Sequence, residues 1–265
     1  MSDSPITPNL PQANHSEEVV ISEKALQKAE EFIEAEEGAA NKLKGWLGVL
    51  VTTLAVVMSV FHLYSAYAIV PTQILRPIHV GFVLVLCFLM FPIANKYRHR
   101  IMWWDWLAAL LSIAVVVYLI LGGDDFTDRN TLPEFWDVVL GVALIVMVME
   151  AMRRTNGWIM PIITGCFILY ALYGPLLPAP WTHKGYAVGR LVGVMYMTLE
   201  GIYGVAVDVS SSLIILFTIF GAFLQYSGAG KFYIDFSFSA MGGKPTGAGD
   251  RKSTRLNSSH RCISY

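Results

Sequence analysis

Charged residues are scarce in this 265-residue sequence, where Asp, Glu, Lys and Arg make up only 15%. A soluble globular domain carries about a quarter. The shortfall argues against a soluble enzyme or binding module. With 55% hydrophobic residues and a mean hydropathy of +0.52, it points to a polytopic membrane protein. Neither sign of charge dominates, the net being −1, and no basic patch suits nucleic acid. Cysteine is nearly absent: Cys87 and Cys166 sit in apolar runs and Cys262 near the end, which excludes a disulfide framework. The six histidines are scattered, so no metal-ligand cluster forms. There is no CxxC, phosphate loop or GxSxG, and no catalytic constellation, so no enzyme and no bound cofactor are expected. Residues 1–44 hold no apolar signal segment, which leaves membrane insertion to the first spanning helix.

What is present is organised around Val209–Gly243. A charge-free apolar run, VSSSLIILFTIFGAFLQYSG, ends at the helix breakers Gly228 and Gly230. The following segment, AGKFYIDFSFSAMGG, is of mixed polarity. Lys231 and Asp235 are spaced to pair across one turn. Phe232, Phe236 and Ala240 share one side, broadened by Ile234, Phe238 and Met241. The pattern predicts a spanning helix, a hinge at Gly228-Ala229-Gly230, and a helix lying in the membrane surface. A buried hairpin of a soluble protein is the alternative, and the composition weighs against it.

Residues 1–44 carry nine acidic residues and four lysines. The first 16, with three prolines, read as disordered, and Leu26, Ala29 and Ile33 recur at helical spacing beside acidic neighbours. Gly45–Leu75 has no Asp, Glu, Lys or Arg. Spans are expected at about 46–68, 78–94, 104–121, 135–152, 158–176 and 210–226, since roughly 20 apolar residues cross the hydrocarbon. The fold class is therefore all-α, with six transmembrane helices and an interfacial arm at 231–241 on the cytoplasmic face. His79 falls at the start of the second span, in an interfacial or hydrogen-bonded structural role. Asp105, inside the aromatic run Trp103–Trp106, reads as wet. Residues 192–207, with Glu200 and several glycines, read as an interfacial helix and a re-entry. Ser210-Ser211-Ser212 read as a helix cap.

Lys96, Arg98 and Arg100, then Arg153 and Arg154, then Lys42 and Lys44 gather near span ends. Basic residues accumulate on the cytoplasmic side, so all three groups place the N-terminus inside. Among charged residues at span ends, Glu150 precedes Arg153 and Arg154 by three and four positions, the spacing of a local ion pair. Glu200 and Asp208 flank the broken region and are weak functional candidates, as intramembrane carboxylates are by default. Residues 250–265, beginning DRKSTRLNSSH, break every trend and resemble a translated sequencing adapter. They are read as non-native, and the chain as cut at about Gly249.

Four stretches carry a family resemblance: FHLYSA with RPIHVGF (Phe61–Ala66, Arg76–Phe82), EAMRRTNGWIMPII (Glu150–Ile163), LYALYGPLLP (Leu169–Pro178) and Glu200–Gly243. Together they resemble the fused permease of tripartite ATP-independent periplasmic (TRAP) transporters, of the type paired with TAXI solute-binding proteins. The resemblance implies a four-helix small-subunit module at 45–154 and the start of the large transport subunit at 155–249. It further implies a bacterial inner-membrane symporter driven by sodium, importing organic acids delivered by a periplasmic solute-binding protein. The sodium and substrate sites of such permeases are expected beyond Gly249, so no site residue carries over. A non-transport membrane scaffold or sensor is the alternative reading.

Overall fold

The computed structural model describes residue 43, residues 45–94, residue 97 and residues 101–241. The readings on the acidic N-terminal segment, on the basic residues Lys42, Lys44, Lys96, Arg98 and Arg100, and on the tail at 250–265 lie outside the described residues.

Among the described residues eight α-helices follow one another and no strand occurs. They are α1 (Trp46–Tyr67), α2 (Thr72–Met90), α3 (Trp103–Asp128), α4 (Phe135–Asn156), α5 (Ile159–Tyr173), α6 (Val188–Tyr196), α7 (Val205–Tyr226) and α8 (Ala229–Met241). Six of them, α1–α5 and α7, are long and apolar enough to cross a membrane, two with a short 3₁₀ extension. The protein is an all-α polytopic membrane protein.

Local chemistry moves several boundaries from those expected. The second span starts at Thr72 rather than 78, because Pro71 sits at its N-cap and Pro77 is absorbed inside the helix. It ends at Met90 because Phe91 precedes Pro92, and the residue before a proline disfavours the α region. The third span runs past its expected end through Gly123, whose φ of 56° kinks the helix, so Asp124, Asp125 and Asp128 lie in a helical turn. Gly157, at φ 76°, stops α4 four residues later than expected, which places Arg153 and Arg154 in the last turn, where cations suit the helix dipole. The final span begins at Val205, so the three serines lie inside the helix, in a π turn at Ser210–Ile214, and cap nothing.

The core lies between α2, α3, α4 and α6. Val80, Leu84 and Phe88 of α2 meet Val115 and Phe126 of α3, Leu144 and Met147 of α4, and Val192 and Tyr196 of α6. The spans α1, α5 and α7 keep most of their apolar surface outward. Between lipid-bathed helices tight packing replaces the hydrophobic effect, and small residues allow it. Gly81 of α2 faces Val116 of α3, and Gly141 of α4 faces Val192 and Tyr196 of α6. The short helix α6 is thus packed on protein along one face, with Val192 and Tyr196 fully buried, while Val188, Arg190 and Val194 are exposed.

The break before α8 is narrower than the expected three-residue hinge. Gly228 alone has a positive φ, 74°, in the position where helices commonly end on a left-handed glycine. Gly230 is already helical. Gly228→Val is expected to destabilise the turn by about 1 kcal/mol or more, whereas Gly230→Val should change stability little. Thermal unfolding of the two variants in detergent checks this, and equal losses would refute the assignment. The described side chains of Lys231–Ala240 are exposed, and no ion pair joins Lys231 to Asp235.

Candidate functional site

Two polar clusters punctuate the bundle, separated along α2 by about 22 Å, for 15 residues at ~1.5 Å each.

The first joins α2 to α7. Arg76 stands in the second turn of α2, and its Nη2 lies 2.9 Å from Asp208 Oδ1. Its Nη1 donates to the carbonyl of Tyr203 at 3.0 Å. One turn on, His79 occupies the same face of α2 as Arg76. It is buried and hydrogen-bonded on both sides. Its Nδ1 is 2.9 Å from Nε2 of His62 on α1, and its Nε2 is 3.1 Å from the Ser210 hydroxyl on α7. His62 in turn places Nδ1 2.7 Å from the carbonyl of Met58. A carbonyl only accepts, so with neutral rings the direction of the whole chain follows. His62 donates to Met58, His79 donates to His62, and Ser210 donates to His79. Three helices are tied by groups that leave neither histidine ring with an unpaired nitrogen.

The second cluster closes the other end of α2. Arg154 donates from Nη1 to Asp105 at 2.6 Å and to the Phe91 carbonyl at 3.0 Å, and from Nε to Glu150 at 2.8 Å. Arg153 grips Glu150 through two nitrogens, each at 2.7 Å, and reaches the Ile93 carbonyl at 2.9 Å. Asp105 was expected in water, yet it is 1% exposed. The cause is its partner: Arg154 brings a guanidinium to it, and the Met102 N–H donates to its other oxygen at 2.9 Å.

The structure therefore gathers Glu150, Arg153 and Arg154 in one place and sets Asp208 in another. Glu200 is exposed in the turn after α6 and makes no ion pair among the described residues. Gly228 and Gly230 serve the turn into α8. Sequence reasoning missed a third ion pair, in which Arg129 grips Asp137 through Nε at 2.8 Å and Nη2 at 2.9 Å while the Tyr118 hydroxyl donates at 2.8 Å. A signal was present: Glu134 and Asp137 bracket the start of α4 at capping-box spacing, and the Glu134 N–H donates to Asp137.

Outside the spans, burial pushes the phenols of Tyr196 and Tyr203 well above the ordinary tyrosine range. Tyr196 donates to the carbonyl of Val115 at 2.8 Å. An apolar groove of about 590 Å³ opens between α1, α2, α4 and α7, walled by residues such as Met58, Val83 and Met152. No group of three or more metal-ligating side chains exists among the described residues. What the clusters do is hold helices together.

Residues 143–251 match the family model of the tripartite ATP-independent periplasmic transporter, DctM component. The match supports a TRAP transporter membrane component. DctM is a family of transporters and not of enzymes, and it implies a periplasmic solute-binding protein as partner. No curated protein and no solved structure matches the chain. The DctM segment holds most of α4 and all of α5–α8. Its polar side chains reach back across the match boundary: Arg154 to Asp105, Asp208 to Arg76, Ser210 to His79 and Tyr196 to Val115.

Proposed function

We propose that this chain is a membrane permease component of a sodium-driven, binding-protein-dependent TRAP transporter of the TAXI type, which imports organic acids across a bacterial inner membrane. The DctM match over residues 143–251, on helices apolar enough to span a bilayer, carries this reading. In it, α1–α4 are a fused small-subunit module that braces the chain in the bilayer, and α5 onward begins the large subunit. The helix α8 lies along the cytoplasmic surface, with Phe232 and Phe236 toward the acyl chains and Lys231 and Asp235 among the headgroups. The polar ties from α2 to α7 join module to subunit.

Uptake of radiolabelled organic acids tests the proposal in cells carrying or lacking the permease gene, with and without a sodium gradient. Uptake is expected only with gene and gradient together. Uptake that persists without sodium refutes the coupling ion, and uptake indifferent to the gene refutes the function. Orientation is read in the same cells: a cysteine at Asp125 should be labelled from outside and one at Arg98 spared.

A further inference from the structure

The turn between α6 and α7, residues 197–204, holds a polar atom with nothing to pair with. Tyr203 is 1% exposed, and its hydroxyl makes no hydrogen bond. Among the described residues every other buried side-chain nitrogen or oxygen has a partner. Buried hydroxyls are costly to leave unpaired, so an orphan calls for an explanation.

The same ring lines a cavity of about 20 Å³. A water molecule needs at least roughly 10–15 Å³ by this measure, with two to four polar neighbours. The neighbours are there. Thr127, at the end of α3, lines the cavity, and its hydroxyl makes no hydrogen bond among the described residues. Gln73, exposed in the first turn of α2, lines it too, and its side chain makes no hydrogen bond among the described residues. Pro77, one turn further on the same wall, has no N–H to offer the Gln73 carbonyl. Polar residues from three separate elements thus border a space large enough for one water molecule.

The lining argues against an ion. It contains no carboxylate to compensate a cation. Arg76, next to Pro77 in sequence, and Arg129, over the Phe126 ring, are already paired to Asp208 and Asp137, so neither is free to hold an anion there.

We propose that this cavity is a binding site for a single water molecule, held by the Tyr203 phenol, the Thr127 hydroxyl and the Gln73 amide or carbonyl. The water fastens the turn that launches α7 onto α2 and α3. Burial keeps the phenol protonated, so it serves as a donor into the site. Nothing in this depends on the transported substrate.

The test is a double-mutant cycle on the full chain in detergent, with Tyr203→Phe, Thr127→Val and both together, read as thermal midpoints. Each single change should lower the midpoint, and the pair should lower it by clearly less than the two losses summed, since either alone releases the water. A rise on Tyr203→Phe, which is the result for an unpaired phenol, overturns the proposal, as does strict additivity. A sodium- or chloride-dependent midpoint that vanishes in Tyr203→Phe overturns it in favour of an ion. High-resolution density of the unmodified chain gives an independent check, expected to show one peak within hydrogen-bond distance of Tyr203 Oη; an empty cavity there refutes it.

Discussion

Replacing Arg154 with methionine is expected to cost the bundle about 3–5 kcal/mol, the range for removing one partner of a buried ion pair. Its side chain is 3% exposed and that of Asp105 2%. Methionine fills much of the volume but leaves the Asp105 carboxylate facing apolar surroundings with only the Met102 N–H for company. The Phe91 carbonyl loses its donor as well, just where α2 ends. Glu150 suffers less, because Arg153 retains two contacts to it and it is 30% exposed. The largest share of the loss should therefore come from Asp105, and Asp105→Asn in the Arg154→Met background should recover a clear part of it. Unfolding in detergent by heat or denaturant measures both. A loss under about 0.5 kcal/mol, the range of ordinary surface changes, would mean that the pair is solvated and the buried reading is wrong.

Gly193→Ala should displace α6, at a cost of about 1–3 kcal/mol, as expected of overpacking. A methyl group there would run into the backbone carbonyl oxygen of Asn130. A side chain at that point could turn aside, but a backbone oxygen in the 3₁₀ turn after α3 cannot without moving the turn. The adjoining side of α6 is closed too, since Val192 and Tyr196 press on Gly141. Displacement would also stretch the bond from Tyr196 to the Val115 carbonyl. Gly221→Ala is the control: in α7, with nothing within 4 Å of the added methyl, it should be neutral or slightly stabilising. If the two alanines have equal effects in thermal unfolding, α6 is not held as described.

Legibility in the sequence followed the range of the interaction. Six spans could be read because each is a continuous apolar run, a local property. The Glu150 contacts to Arg153 and Arg154 could be read because three and four residues make one turn. Asp105 was misread because its wetness was inferred from neighbouring tryptophans, while its state is set by an arginine 49 residues away. Arg76 and Asp208 are separated by 132 residues and His62 and His79 by 17, and no periodicity reports such meetings. The start of α2 was missed because a proline six residues into a helix looks, in sequence, like a proline before one. Which elements approach the glycines of α6 was not legible either, since Gly193 meets the Asn130 backbone and Gly189 meets Pro133, both far away in sequence.

The polar ties across α4 have a consequence for what can be made separately. The DctM match opens at residue 143, near the middle of α4, which starts at Phe135. A polypeptide beginning there would keep Arg154, Asp208, Ser210 and Tyr196 but lose Asp105, Arg76, His79 and the Val115 carbonyl. It would also lose Gly141 and Asn130, the two surfaces against which α6 is seated. Homology and cooperativity thus draw different lines through this protein. A piece that keeps these contacts must include the helices from α2 onward, and a shorter piece would have to borrow them from a second polypeptide in the same bilayer.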